Sequence, residues 1–265
     1  MFARRGTRTN RRGVGDALPN DPIWWQIPGA HTALRSDFGL AYAAGVSMTW
    51  TDQITGTATF AQATAAQVPT YAASDAQWGG LPSITFDGTN DNLDSSLAAS
   101  SWKLLHDGTG VTILAVFHPL VTGGGSADVL LGTTYTGIGA HLAYDANSTR
   151  GTFVVRDGGV PDVIQLYPTT GTMPGDVNYA MLATHATADT PDGSLYYPLA
   201  SSVATGSGTP TAADPGATAS IGCSPGGTLN PYAGSIVELV VWPFSFTLAQ
   251  RTRANAYVRR RYKIT

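Results

Sequence analysis

Tyr232-Ala-Gly-Ser-Ile-Val-Glu-Leu-Val-Val-Trp242 runs into Pro243-Phe-Ser-Phe and then Thr247-Leu-Ala-Gln, and this succession decides the fold. From Ile236 to Trp242 nearly every position is apolar and several are β-branched, so both faces of the strand should be covered, with Glu238 as the exception. Thr247, followed three residues later by Gln250, is a capping-box start. Leu248, Ala254, Val258 and Tyr262 then fall on one helical side, and Arg253, Arg260 and Lys263 on the other. The six cations from Arg251 to Lys263 exceed what a helix dipole asks for, so an acidic neighbour is expected.

This closing segment resembles the end of the concanavalin A-like, laminin-G-like jelly rolls of bacteria and phages. Three earlier stretches resemble the same family's opening: Met48-Thr-Trp50-Thr-Asp52-Gln, Gln67-Val-Pro69-Thr-Tyr71, and Leu81-Pro-Ser-Ile-Thr-Phe86-Asp87-Gly88-Thr-Asn-Asp91-Asn-Leu93. The resemblance covers residues 20 to 265. It implies an all-β, concanavalin A-like jelly-roll β-sandwich, with an extended Arg-rich arm at 1–19 and a C-terminal helix at about 247–263. It does not fix what the sandwich does.

Composition agrees with strands and turns. The chain has 265 residues, 31 of them Gly and 16 Pro, and only 12% are charged, which leaves little solvated helix surface. No stretch reads as a linker between two cores. The net charge of −3 is unevenly placed. Residues 1–12 carry five Arg and no acid, residues 251–265 carry six cations and no acid, and the rest carries four basic and 18 acidic side chains. Such an asymmetry concerns partners rather than fold. Cys223 is the only cysteine, so no intramolecular disulfide forms. No apolar run is long enough to span a membrane, and the basic start is not followed by the apolar stretch of a signal peptide; synthesis in a host cytoplasm is expected.

Taken in order, Met1 to Gly15 has almost nothing to bury. Its Arg4, Arg5, Arg8, Arg11 and Arg12 suit a docking arm on a protein partner or a solubilising tail. The lack of interleaved aromatics disfavours nucleic acid. Leu18 to Pro28 reads as an extended lead-in that lays one of Trp24 and Trp25 on the domain, and Ala33 to Ala44 as a short helix. Strands are expected at Val46–Trp50, Thr57–Ala61 and Ile84–Phe86. From Val111 they follow in regular succession, separated by turn signals such as Asp157-Gly-Gly159 and Pro225-Gly-Gly227. Ala204 to Ala217 reads as the longest loop.

The enzyme question turns on carboxylates. Glycoside hydrolysis needs two facing carboxyl groups, and this chain has a single glutamate, Glu238, which reads as a buried group held by backbone N–H groups or an Arg of the terminal helix. The five histidines show no metal-ligand spacing, and no Gly-x-Ser-x-Gly elbow is present. The turn with Asp87, Asp91 and Asp94 is a weak calcium candidate against an ordinary Asx turn. Glycan contact would need exposed aromatics, for which Trp78, Tyr135, Tyr144 and Tyr196 are the candidates, each also suited to core packing.

These observations lead to an expectation of a non-enzymatic, homo-oligomeric virion protein of a phage, a capsid decoration protein attached through its basic arm to other virion proteins, with no cofactor. The alternative is a carbohydrate-binding module or the receptor-binding part of a tail.

Overall fold

A computed structural model of the chain describes residues 21–120, 128–134, 137–145, 147–158, 164–168, 173, 175–185, 194–196, 202–205, 211–225 and 229–264; for 164–168, 185, 194–196 and 202–205 it describes the backbone alone. The segment 1–19, with Arg4, Arg5, Arg8, Arg11 and Arg12, lies outside these residues, as does Tyr135. In chain order the elements are α1 (Ile23–Gln26), β1 (Thr32–Arg35), β2 (Leu40–Ala43), β3 (Ser47–Thr51), β4 (Thr59–Gln62), β5 (Thr70–Asp75), β6 (Leu81–Asp87) and β7 (Leu93–Ser95). They continue with β8 (Val111–Pro119), β9 (Asp128–Gly132), β10 (Ile138–Asp145), β11 (Arg150–Asp157), β12 (Ile164–Pro168), β13 (Tyr179–His185), β14 (Ser194–Tyr196), β15 (Ser202–Thr205), β16 (Ser220–Ile221), β17 (Ala233–Trp242) and α2 (Leu248–Tyr262).

The strands form two antiparallel sheets. One has seven strands in the order β14-β13-β8-β17-β6-β5, with β1 also on β17; the other has ten, β15-β12-β11-β10-β9-β16-β7-β4-β3-β2. Strand β17 is the axis of the first. It pairs along its length with β8 on one side, and on the other with β6 through Ala233–Ile236 and β1 through Glu238–Val241. All ten of its residues are buried, as the apolar run requires. The facing sheets enclose one core, to which Phe86, Phe117 and Leu239 contribute from one side and Trp50, Phe60 and Phe153 from the other. A second apolar cluster lies behind the seven-stranded sheet, where Leu114, Leu182, Val240 and Trp242 meet Trp24 of α1 and Tyr257 and Val258 of α2.

Several sequence expectations change here. Ala33–Ala44 is not a helix but β1 and β2, because β17 and the Asp52 carboxylate, which accepts from Ala33 N at 2.8 Å, draw the segment into the sheets. The lead-in is not extended throughout: Ile23–Gln26 makes one helical turn, burying Trp24 and leaving Trp25 exposed. In α2 the capping box forms between Thr247 and Gln250, and Ala254, Tyr257, Val258 and Tyr262 are buried, but Leu248 at the first turn is exposed. The expected long loop overlaps strand β15.

Glu238 departs most instructively. A bulge in the β17–β8 ladder leaves Val237 unpaired between Ile236 and Glu238, so Ile236 points into the inter-sheet core and Glu238 toward α2. There the carboxylate is held not by backbone N–H groups but by tyrosine hydroxyls: Tyr262 donates at 2.6 Å and Tyr257 at 2.9 Å. Burial raises its pKa, while Tyr262, Arg35, Tyr257 and Arg261 pull it back. The acidic neighbours expected from the helix cations are therefore internal, since Arg261 also pairs with Asp37 at 2.7 Å and Asp37 with Arg35. Each hydroxyl given to a buried carboxylate is worth about 1–3 kcal/mol. Tyr262→Phe and Tyr257→Phe should each lower unfolding stability in urea by that order, about 1–3 kcal/mol; two neutral results would mean the carboxylate is held by other groups.

Candidate functional site

The ten-stranded sheet turns one face to the core and the other outward, and antiparallel register aligns one outward residue from each strand in a transverse row. Ala41, Thr49, Ala61 and Asp94 follow one another across β2, β3, β4 and β7. The row continues through Ser220, Gly132, His141 and Val154 on β16, β9, β10 and β11. Their sequence neighbours Met48, Trp50, Phe60, Leu93, Ile221, Leu142 and Phe153 are core, which fixes the outward direction.

The two halves of the row differ. Ala41 is exposed and Thr49, Ala61 and Asp94 are half-buried, whereas Ser220, His141 and Val154 are buried. The open half is a floor of small side chains that ends at the Asp94–Ser220 pair. Gly132 keeps the closed half tight: a Cβ there would lie 3.0 Å from His141 Cβ.

At the junction, polar atoms are left over. Asp94 Oδ1 and Ser220 Oγ are buried without a hydrogen-bond partner among the described residues, and so are Ser224 Oγ and Asn230 Nδ2 in the segment that follows β16. Buried polar atoms of this kind are rare and call for an explanation. A carboxylate acceptor beside a hydroxyl that donates or accepts, the Asp94–Ser220 pair, is suited to the hydroxyl groups of a sugar. Cys223, beside Asp94, has its thiol pushed up to about 11 by burial, so it stays a thiol.

The other residues singled out in the sequence lie elsewhere. Trp78 is 4% exposed, donates to Ser235 Oγ at 2.8 Å and packs edge-on against Tyr262. Tyr144 is 1% exposed and donates to Met173 O at 2.7 Å. Neither ring is presented to solvent, because each has an apolar body in the core and a polar tip with a buried acceptor. Tyr196 sits on β14, where only the backbone is described. Asp87 accepts from Thr89 N and Asn90 N, an Asx turn, and Asp91 accepts from Asp87 N at 2.9 Å. Asp94 stands apart from them on the outer face. Among the described residues no group of three or more His, Cys, Asp or Glu could hold a metal. Of the site itself, sequence reasoning singled out Asp94, in another role, and passed over Ser220. The signal available was Ala219-Ser-Ile221, apolar on either side of one polar residue, and Asp94 directly after the apolar Leu93.

No protein-family model matches the chain, nor does any curated protein. Solved structures do. A sialidase of Trypanosoma rangeli in complex with 2,3-difluoro-KDN is 16% identical, with a TM-score of 0.54 over 88% of this chain and 33% of that chain. Another structure of Trypanosoma rangeli sialidase is 17% identical, TM-score 0.52, with the same coverage. A carbohydrate-binding module, the CBM40 of Ruminococcus gnavus IT-sialidase bound to α2,3-sialyllactose, is 15% identical with a TM-score of 0.49, over 66% of this chain and 95% of that one. At such identities the likeness to the sialidases shows the fold, and this chain spans about a third of their length. The expectation that the protein is not an enzyme is corrected by this finding: the structures it resembles over most of its length are enzymes, and the single glutamate does not exclude activity.

Titration around the sheets has a definite sign. Burial, with the Asp145 charge, raises Asp128 to about 7, and burial raises Asp91 to about 6. Both hold their protons more tightly folded than unfolded, so stability rises as pH falls through these values. His141 is lowered to about 4 by burial and by Arg156, so it is neutral in the fold and takes up a proton on unfolding below its usual value of about 6.5. The thermal midpoint should therefore rise as pH falls from 8 to 6, where Asp128 is the first of these groups to titrate, with Asp128→Asn flattening that rise. A midpoint that climbs steadily from pH 6 to 8 would contradict these assignments.

Proposed function

We propose that this chain is a carbohydrate-binding domain of the concanavalin A-like jelly-roll class, which takes a glycan on the open half of the outer face of its ten-stranded sheet. The observation that carries this reading is the buried, unpartnered Asp94 Oδ1 beside Ser220 Oγ at the closed end of a floor built from Ala41, Thr49 and Ala61. Small side chains let a flat sugar ring lie close to the sheet. The carboxylate then accepts from its hydroxyls, in charge-assisted bonds stronger than neutral ones. The resemblance to sialidases, several of them solved with sialic acid or its derivatives, supports a saccharide as the ligand class.

The chemistry at Asp94 narrows the class. Among the described residues no cation pairs with Asp94, and a lone carboxylate repels an acidic sugar and accepts from neutral ones, so the ligand is a neutral, hydroxyl-rich glycan rather than a sialoside. The phage reading rests on the charge of residues 1–12 and on the family resemblance, and it is compatible with a glycan-binding body carried on a larger assembly.

A glycan array probed with the full chain, followed by titration calorimetry and product analysis, tests the proposal. Saturable binding to a neutral oligosaccharide is expected, weakened about tenfold or more by Asp94→Ala and abolished by Ala61→Trp, which fills the floor. Both variants should melt within a few degrees of the parent. Binding that ignores both substitutions, or is confined to sialosides, would remove this face from consideration. Deleting residues 2–12 should leave glycan binding unchanged while abolishing any attachment to a particle.

A further inference from the structure

We propose that a second copy of this chain pairs antiparallel with the free edge of β2, joining two ten-stranded sheets into one. Strand β2 ends the sheet, and among the described residues β3 is its only neighbour. Thr51 N donates to Gly39 O at 2.8 Å, so Gly39, Ala41 and Ala43 direct their backbone groups to β3, and the N–H and C=O of Leu40 and Tyr42 point away from it.

Exposed edges are normally blunted by charge, proline or a bulge. The edge strand of the other sheet, β5, shows all three: Pro69 before it, Asp75 at its end and a register shift between Ala72 and Asp75. Strand β2 has none. No charged residue or proline occurs from Phe38 to Thr51, and the β2–β3 register runs unbroken. Exposed Phe38 and Val46 flank it.

A second copy fits this edge better than a partner of another kind. The stretch has no charge with which to recognise an oppositely charged chain, and its neutrality lets two acidic bodies meet without repulsion. It is also self-complementary. With Ala41 on the two-fold axis, Leu40 of one copy faces Tyr42 of the other, and their outward groups exchange hydrogen bonds on both sides of the axis. Ala41 then meets Ala41 of the second copy as a non-hydrogen-bonded pair, where Cα atoms approach to about 4.5 Å and a small side chain is needed. Only Leu40, Ala41 and Tyr42 of β2 pair in each copy, so the dimer is a weak one.

Sedimentation velocity of the full chain across a micromolar concentration series should show a reversible monomer–dimer equilibrium. Ala41→Lys and Ala41→Glu should each give monomer, since both set like charges against each other at the axis, and an equimolar mixture should recover the dimer. Hydrogen exchange of the unmodified chain provides a reading independent of the variants: the outward amides of Leu40 and Tyr42 should be protected more at high than at low concentration. A chain that stays monomeric, a dimer untouched by both substitutions, or exchange indifferent to concentration would each overturn the pairing.

Discussion

Strand β17 is hydrogen-bonded along both edges and covered on both faces, and the rest of the molecule follows from having to satisfy it. Its inner side chains need the ten-stranded sheet opposite them; its outer ones need α1 and α2. The bulge after Ile236 then sets a carboxylate among those outer side chains, and a buried charge is tolerated only with donors around it. Tyr257 and Tyr262 supply them, with Arg35 and Arg261 close by. The terminal helix is thus fixed in position by a polar requirement as well as by apolar area, which sets its register on the sheet more narrowly than Ala254 and Val258 could alone.

The outer face of the other sheet follows the opposite logic. There the side chains are small and, among the described residues, Asp94 Oδ1 and Ser220 Oγ lack hydrogen-bond partners, an arrangement that contributes nothing to stability. The separation of the two roles comes from strand periodicity. Met48, Trp50, Phe60 and Leu93 build the core, while Thr49, Ala61 and Asp94, each one residue away, form the floor.

The sequence carried the strands best where burial on both faces demanded long apolar stretches. The succession of strands that starts at Val111 was legible for that reason, and so was β17 with its helix and capping box. Strands made of small or polar residues were not. Thr70–Asp75 and Leu93–Ser95 have little apolar content, and Ala33–Ala44 looked helical because alanine favours helices when nothing else intervenes. What intervened was long-range, namely β17 and Asp52, whose carboxylate ties together Ala33 N, Ile54 N and Thr55 N. The site was hidden for the same reason. Asp94 and Ser220 are far apart in the chain, and only the pairing of β7 with β16 makes them neighbours. Trp78 and Tyr144 attracted attention because aromatics bind sugars, but an aromatic with a hydrogen-bonding tip is equally suited to a core.

The place of β17 in the chain also bears on how the protein comes into being. The strand at the centre of the seven-stranded sheet and the helix that holds it come after every strand they organise, so a ribosome releases β1, β6 and β8 before them. Until they emerge, β8, β6 and β1 lack the neighbour they share, and Leu114 and Leu182, on the outer face of the sheet, lack the helix that covers them. The seven-stranded sheet therefore cannot close before β17 has been synthesised, and until then the strands that precede it are exposed to aggregation or dependent on chaperones.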